Sequence, residues 1–224
     1  MTLVVKNLSK KFDDAVILDN FSFKMEEGEI VALVGESGTG KTTFIRILNS
    51  LIPIDQGCVM INDAKLVDTD ENGQVTYTSG SERWAYDNEI GMVFQDYQLF
   101  PNMSALENLM EAPLAQKILS KQAIREKAVA LLEQMGLGEK INAMPKTLSG
   151  GQAQRVAIAR SMMLDPKVLC FDEPTSALDK DSASIVGEMI QSIAAEGTGI
   201  IVVTHDINFA EEYSTRVLSS AEFI

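Results

Sequence analysis

From Gly35 to Thr42 the chain reads Gly-Glu-Ser-Gly-Thr-Gly-Lys-Thr: a glycine, four residues, then Gly-Lys and a hydroxyl residue. Ile30 to Val34, just ahead of it, is short, β-branched and uncharged, the composition of a strand buried on both faces of a sheet. Behind it, Phe44, Ile45, Leu48 and Leu51 recur at helical spacing until Pro53 stops the pattern. Strand, glycine-rich turn and helix in that order leave few folds open. The glycines let backbone N–H groups converge, and the helix aims its positive end at the same point, so the turn is a cradle for phosphate. In such a turn Lys41 supplies a cation to the β- and γ-phosphates, and the Thr42 hydroxyl is a ligand for Mg²⁺.

The rest of the chain supplies strands and helices to surround this turn. Leu3–Val5, Val16–Phe23 and Val59–Ile61 read as strands near the N-terminus, and Ile90–Phe94 as a further one. Between Asp55 and Glu89 eight acidic residues face two basic ones, with Thr, Ser, Gly and Asn clustered at 69–81, which predicts a solvated hairpin or loop insertion. After a loop at 95–101, Ser104 with Glu107 forms a capping-box signature. It opens a helix that is expected to run to about Leu119 and to bend or restart at Pro113. A second helix is expected over Lys121–Met135, ended by Gly136. Val168–Phe171 and Ile200–Val203 read as buried strands, with a helix near 182–195 between them. Alternation of this kind predicts a parallel sheet with helices on both faces.

The chain has 224 residues, 46% of them apolar, and 19 Lys plus Arg against 32 Asp plus Glu. That length suits one large domain, with or without a sub-domain. The net charge of −13 argues against a protein that binds nucleic acid by neutralising phosphates. No uncharged apolar run reaches about 18 residues, and the first residues lack the basic and apolar regions of a signal peptide. The expectation is a chain that neither spans a membrane nor leaves by the usual secretory route. Cys58 and Cys170 are far apart without metal-ligand spacing, so neither a disulfide framework nor a zinc site is indicated.

Two further segments carry chemistry. Val168 to Phe171 is an apolar strand that ends in Asp172-Glu173. A strand emerging beside the phosphate turn puts Asp172 where it can hold Mg²⁺, directly or through water, and Glu173 near the γ-phosphate, where it can polarise an attacking water. Leu148-Ser149-Gly150-Gly151-Gln152 then opens the helix Ala153–Met163, a second anion-seeking helix start. One phosphate turn already serves a nucleotide in this chain, so the second points to another nucleotide.

With these pieces the chain resembles the ATP-binding cassette ATPases, the nucleotide-binding subunits of ABC transporters. The phosphate turn, Gln95 as glutamine loop, the signature Leu148–Gln152, the acidic strand end, Ser176-Ala177-Leu178-Asp179 and Thr204-His205-Asp206 follow in the family's order over almost the whole length. The run Met92 to Pro101, with Glu107-Asn108 and Ala112-Pro113, is most similar to the importer subunits for polar amino acids. The resemblance implies an α/β P-loop NTPase of the ABC ATPase type, with an N-terminal antiparallel β part and an inserted helical sub-domain. It implies a single cassette over 1–224, with 1–94 and 161–224 as catalytic core and 95–160 as the helical part.

The roles implied for single residues follow. Gly35, Glu36, Ser37, Gly38, Thr39, Gly40, Lys41, Thr42 and Thr43 would bind ATP, and Thr42, Gln95 and Asp172 would surround Mg²⁺. Glu173 would be the general base, and His205 would hold the γ-phosphate. Phe12 matches the aromatic that stacks on adenine, although packing under the N-terminal strands is a role equally open to it. Two cassettes would meet head to tail in an ATP-dependent homodimer. Ser149, Gly151 and Gln152 would then reach the partner's nucleotide, and Asp179 would link the two sites. Transmembrane permease subunits and a solute-binding protein would be partners, nucleic acid would not, and the chain would sit peripherally on the cytoplasmic face of the membrane. The alternative is a regulatory or mechanical ABC ATPase of a cell-envelope or export complex.

Three departures from the family pattern stand out. The 68–89 segment is longer and more acidic than usual, the strand pair and helix after Val217-Leu218 look shortened, and Ala153 replaces a polar residue after the signature. The first two bear on docking, and the third is expected to be neutral.

Overall fold

The computed structural model describes residues 2–117 and 119–223. Strands β1 (Thr2–Phe12) and β2 (Ala15–Glu26) form a hairpin, and β3 (Ile30–Val34) leads through the phosphate turn into α1 (Lys41–Leu48). Next come β4 (Gln56–Ile61), β5 (Ala64–Thr69), β6 (Val75–Tyr77), α2 (Gly80–Glu89) and β7 (Ile90–Val93). Three helices follow, α3 (Ala105–Gln116), α4 (Lys121–Gln134) and α5 (Gly150–Ser161). The chain then alternates through β8 (Val168–Asp172), α6 (Lys180–Ala195), β9 (Gly199–Thr204), α7 (Ile207–Tyr213) and β10 (Arg216–Ser219).

The strands divide into two sheets. One runs β2-β1-β4-β5-β6 and is antiparallel, and the other runs β10-β3-β9-β8-β7 and is parallel. The inner strands β3, β8 and β9 are apolar without alternation because both their faces are covered. Leu169, Phe171, Ile200 and Val202 pack on one side with α3 to α7, and Cys170, Ile201, Val203, Val31 and Leu33 pack on the other with α1 and the antiparallel sheet. Cys170 lies at zero exposure in this second layer, and burial pushes its thiol up to about 12, as suits an inert core residue. No helix among the described residues is long and apolar enough to cross a membrane.

Capping boxes mark two of the helix starts. Ser104 and Glu107 form the expected capping box on α3, and Ser149 with Gln152 forms another on α5. α3, however, does not break at Pro113: it runs uninterrupted to Gln116 and closes with Lys117 in the left-handed region at φ 55°. Pro113 is buried there, so helix packing outweighs the one backbone bond that its ring removes.

The 55–89 segment also departs from its sequence reading. A hairpin is present, since β4 and β5 turn at Asn62, but the segment is structured and partly buried rather than a solvated insertion. Leu66, Val67 and Tyr86 are buried, β5 and β6 extend the antiparallel sheet, and α2 fills the remainder. The acidic residues occupy the outward positions, while a few large apolar side chains carry the packing. Tyr86 is fully buried and donates its hydroxyl proton to the Leu48 carbonyl at 2.8 Å, satisfying one of the free carbonyls that end α1. Trp84, on the same helix, is half exposed.

Candidate nucleotide site

β3, β9 and β8 are parallel neighbours, so the segments that leave their C-terminal ends emerge on one edge of the sheet. Val34 pairs with Thr204 and Asp172 with Val203, which brings the phosphate turn, Asp172-Glu173 and His205 to the same level. Together Gly35, Ser37, Gly38, Gly40, Lys41, Thr42, Thr43, Gln95, Glu173 and His205 line a cavity of about 360 Å³. Glu36 and Thr39 face a second cavity of about 510 Å³ on the other side of the turn, shared with Val16, Ile17 and Ser219–Ala221.

Two glycines of the turn are dictated by shape. Gly40 has φ 95°, and a Cβ there would lie 2.8 Å from Ile17 Cγ2. Gly35, at φ 146°, abuts Ser220, whose Oγ would stand 2.0 Å from an added Cβ. Lys41 is buried inside the turn, and its Nζ donates to the carbonyls of Gly35 at 2.8 Å and Glu36 at 2.6 Å and to Thr39 Oγ1 at 3.4 Å. All three acceptors are neutral oxygens, which leaves the ammonium available to an anion.

The residues read as metal ligands are partly joined. The Thr42 hydroxyl donates to Asp172 Oδ1 at 2.9 Å, and Arg46 lies 3.9 Å from the other carboxylate oxygen. Gln95 lines the same cavity but donates its amide to Ser176 Oγ at 3.3 Å. A hydroxyl, a buried carboxylate and an amide are hard donors that fit Mg²⁺. Among the described residues no group of three or more His, Cys, Asp and Glu could cage a metal alone, as befits an ion that takes its remaining ligands from phosphate and water.

Glu173 follows β8 with φ 49°, and its N–H donates to the Val203 carbonyl at 2.9 Å. This left-handed turn directs its carboxylate toward β9, where Oε2 meets His205 Nδ1 at 2.8 Å. His205 is mostly exposed and Glu173 mostly covered, with side-chain exposures of 69% and 17%. Ser176 was not singled out as a ligand by the sequence, yet it accepts from Gln95 and donates to the Glu173 carbonyl at 3.1 Å, linking the two. Arg160 was missed as well: its guanidinium donates to the carbonyls of Tyr97 and Gln98, both left-handed, and so ties α5 to the glutamine loop. Neither carried a signal beyond its position inside a longer motif.

Other predicted residues lie apart from the cavity. Ser149, Gly151 and Gln152 do not line it; Ser149 Oγ accepts from Gln152 N–H at 3.3 Å at the start of α5. Asp179 caps α6, and hydrogen bonds from Ser182 hold its carboxyl below the usual carboxylate range. Phe12 is 43% exposed at the end of β1 and lines neither cavity.

Comparison with known proteins agrees with this arrangement. The profile of the ABC transporter family matches residues 18–176. The arginine transport ATP-binding protein of Bacillus subtilis (strain 168) is 43% identical over 96% of this chain and 85% of its own length. The glutamine transport ATP-binding protein of Escherichia coli (strain K12) is 39% identical over 95% and 85%. Among solved structures, a dimeric ATP-binding cassette in a post-hydrolysis state bound to ADP and Pi superposes with a TM-score of 0.80 at 33% identity, covering 97% of this chain and 93% of that one. A phosphate turn, an acidic strand end and a histidine-bearing strand end on one sheet edge, in a sequence this close to such cassettes, mean that the chain belongs to the ABC transporter family, as one of its ATP-binding cassette ATPases.

Proposed function

We propose that the chain hydrolyses Mg-ATP to power uptake of a polar amino acid through separate permease subunits, on the cytoplasmic face of the membrane and with a solute-binding protein upstream. The observation that carries the hydrolytic part is the Glu173 carboxylate beside His205 on the wall of the phosphate cavity. The solute class follows from relatives named for arginine and glutamine transport.

In this reading Gly35–Thr43 cradle the phosphates and Lys41 turns its ammonium from backbone carbonyls to the β- and γ-oxygens. Thr42, Asp172 and Gln95 would hold Mg²⁺, which when bound would supply positive charge to the phosphate oxygens. Glu173 accepts a proton from the attacking water. His205 holds the γ-phosphate, with its Nδ1 2.8 Å from Glu173 Oε2. Ser149, Gly151 and Gln152 serve the nucleotide of a second copy, with Asp179 at the contact, in a head-to-tail homodimer; that the solved cassette is dimeric supports the pairing of two copies. Residues 1–94 and 161–224 act as the catalytic core and 95–160 as the helical part that carries the signature.

The test is to isolate the chain with its membrane partners and measure ATP hydrolysis in vesicles. Stimulation by one polar amino acid, with its accumulation inside, is the expected result. A partner with a large extracellular domain and no solute accumulation would instead favour a mechanical role.

A further inference from the structure

We infer that Lys10 and Asp55 are positioning residues for base recognition, holding Phe12 so that one ring face is presented to adenine. The inference rests on the reading of Phe12 as the adenine-stacking aromatic. Lys10 is a strand lysine with its side chain 9% exposed, and a covered ammonium needs a partner. It has two: Asp55 Oδ1 at 3.0 Å, and the face of the Phe12 ring at 5.1 Å from its centroid.

Asp55 does more than neutralise this cation. Its Oδ2 accepts the Lys11 N–H at 2.7 Å, and its own N–H donates to the Ser9 carbonyl at 3.1 Å. Three contacts from one residue therefore fix β1 from Ser9 to Lys11, immediately before Phe12. They act where the ladder is weakest, because the β1–β2 register shifts between Leu8 and Lys10 and again between Lys10 and Lys11. Where the register shifts, this side-chain network adds to the strand pairing that sets where the ring stands.

The ring's place suits a base. Phe12 pairs with Ala15, next to Val16 and Ile17, which wall the cavity beside the phosphate turn. One ring face is covered by the ammonium while the residue stays 43% exposed. A cation on one side draws π density toward itself, leaving the opposite face electron-poor and better suited to stack on electron-rich adenine.

The experiment measures affinity for ATP and for inorganic tripolyphosphate, which has no base, by calorimetry in Phe12→Ala, Lys10→Met, Lys10→Arg and Asp55→Asn. Lys10→Met and Asp55→Asn should weaken ATP by about fivefold to tenfold and leave tripolyphosphate unchanged, with Lys10→Arg close to the parent. Asp55→Asn retains an acceptor for Lys11, so it serves if Lys10→Met does not fold. Equal losses for both ligands would mean a general structural or charge effect and overturn the inference. Loss of base-dependent affinity in Phe12→Ala alone would leave stacking in place and remove Lys10 and Asp55 from it. An unchanged ratio in Phe12→Ala would defeat the stacking reading itself, and the inference with it.

Discussion

The imidazole of His205 lies 2.8 Å from the Glu173 carboxylate, although the two residues leave different strands of the parallel sheet. The contact joins the proposed base to the proposed phosphate sensor, so a change in one is felt at the other. Glu173→Gln should retain ATP binding and lose hydrolysis by about 10²-fold or more, since the amide cannot take the proton from water. Single-turnover hydrolysis with bound ATP measured separately checks this. A parental rate would remove Glu173 from the base role.

In the proposed mechanism Lys41 gives up its bonds to the Gly35 and Glu36 carbonyls for bonds to phosphate. Lys41→Ala should therefore weaken ATP by about tenfold or more, the worth of a charge-assisted hydrogen bond. Equilibrium titration decides it, and unchanged affinity would contradict the placement of the ammonium on the phosphates.

Tyr86 closes the end of α1 and does not line the candidate nucleotide cavity. Tyr86→Phe leaves the Leu48 carbonyl without its buried donor and should cost about 1–2 kcal/mol. For a chain of this size that lowers Tm by roughly 2–8 °C. Thermal unfolding should show the loss while the ATP dissociation constant stays near parental, and a Tm equal to the parent would show that water replaces the tyrosine.

Glu107 should give α3 an acid-sensitive start. The Ser104 N–H and hydroxyl donate to its carboxylate and hold its pKa below the ordinary glutamate range. Because the folded value is depressed, this stabilisation is present above the unfolded value of about 4.3 and is lost as pH falls through the folded one. Denaturant midpoints of the parent should fall more between about pH 5 and pH 3 than those of Glu107→Gln, which keeps an acceptor but does not titrate there. Parallel profiles would mean that the box has no ionic component.

Legibility followed the range of the forces involved. The β3–turn–α1 unit, the buried strands β8 and β9, the box at Ser104 and the helix start at Ser149 rest on neighbours within a few residues, so they could be read from the chain directly. The 55–89 segment misled because its composition is acidic while its packing rests on Leu66, Val67 and Tyr86, a minority of its residues. A restart at Pro113 does not occur for a related reason: a lost backbone bond is a local cost, and the buried helix face that offsets it is made by other elements. In the candidate site the residue types were legible, but Ser176, Arg160 and the Lys10–Asp55 pair were not, because their partners come from distant parts of the sequence.

By itself the sequence determined an α/β chain with a strand–glycine turn–helix unit, an acidic strand end and a Ser-Gly-Gly helix start, since spacing and residue type suffice for each, while the cassette came from resemblance to a family. Only the tertiary structure decided that Thr42 donates to Asp172, that Glu173 turns through a left-handed backbone toward His205, and that Tyr86 closes α1. Those contacts depend on strand order and register in the parallel sheet, which bring together groups separated by many residues, and no local pattern encodes such a meeting.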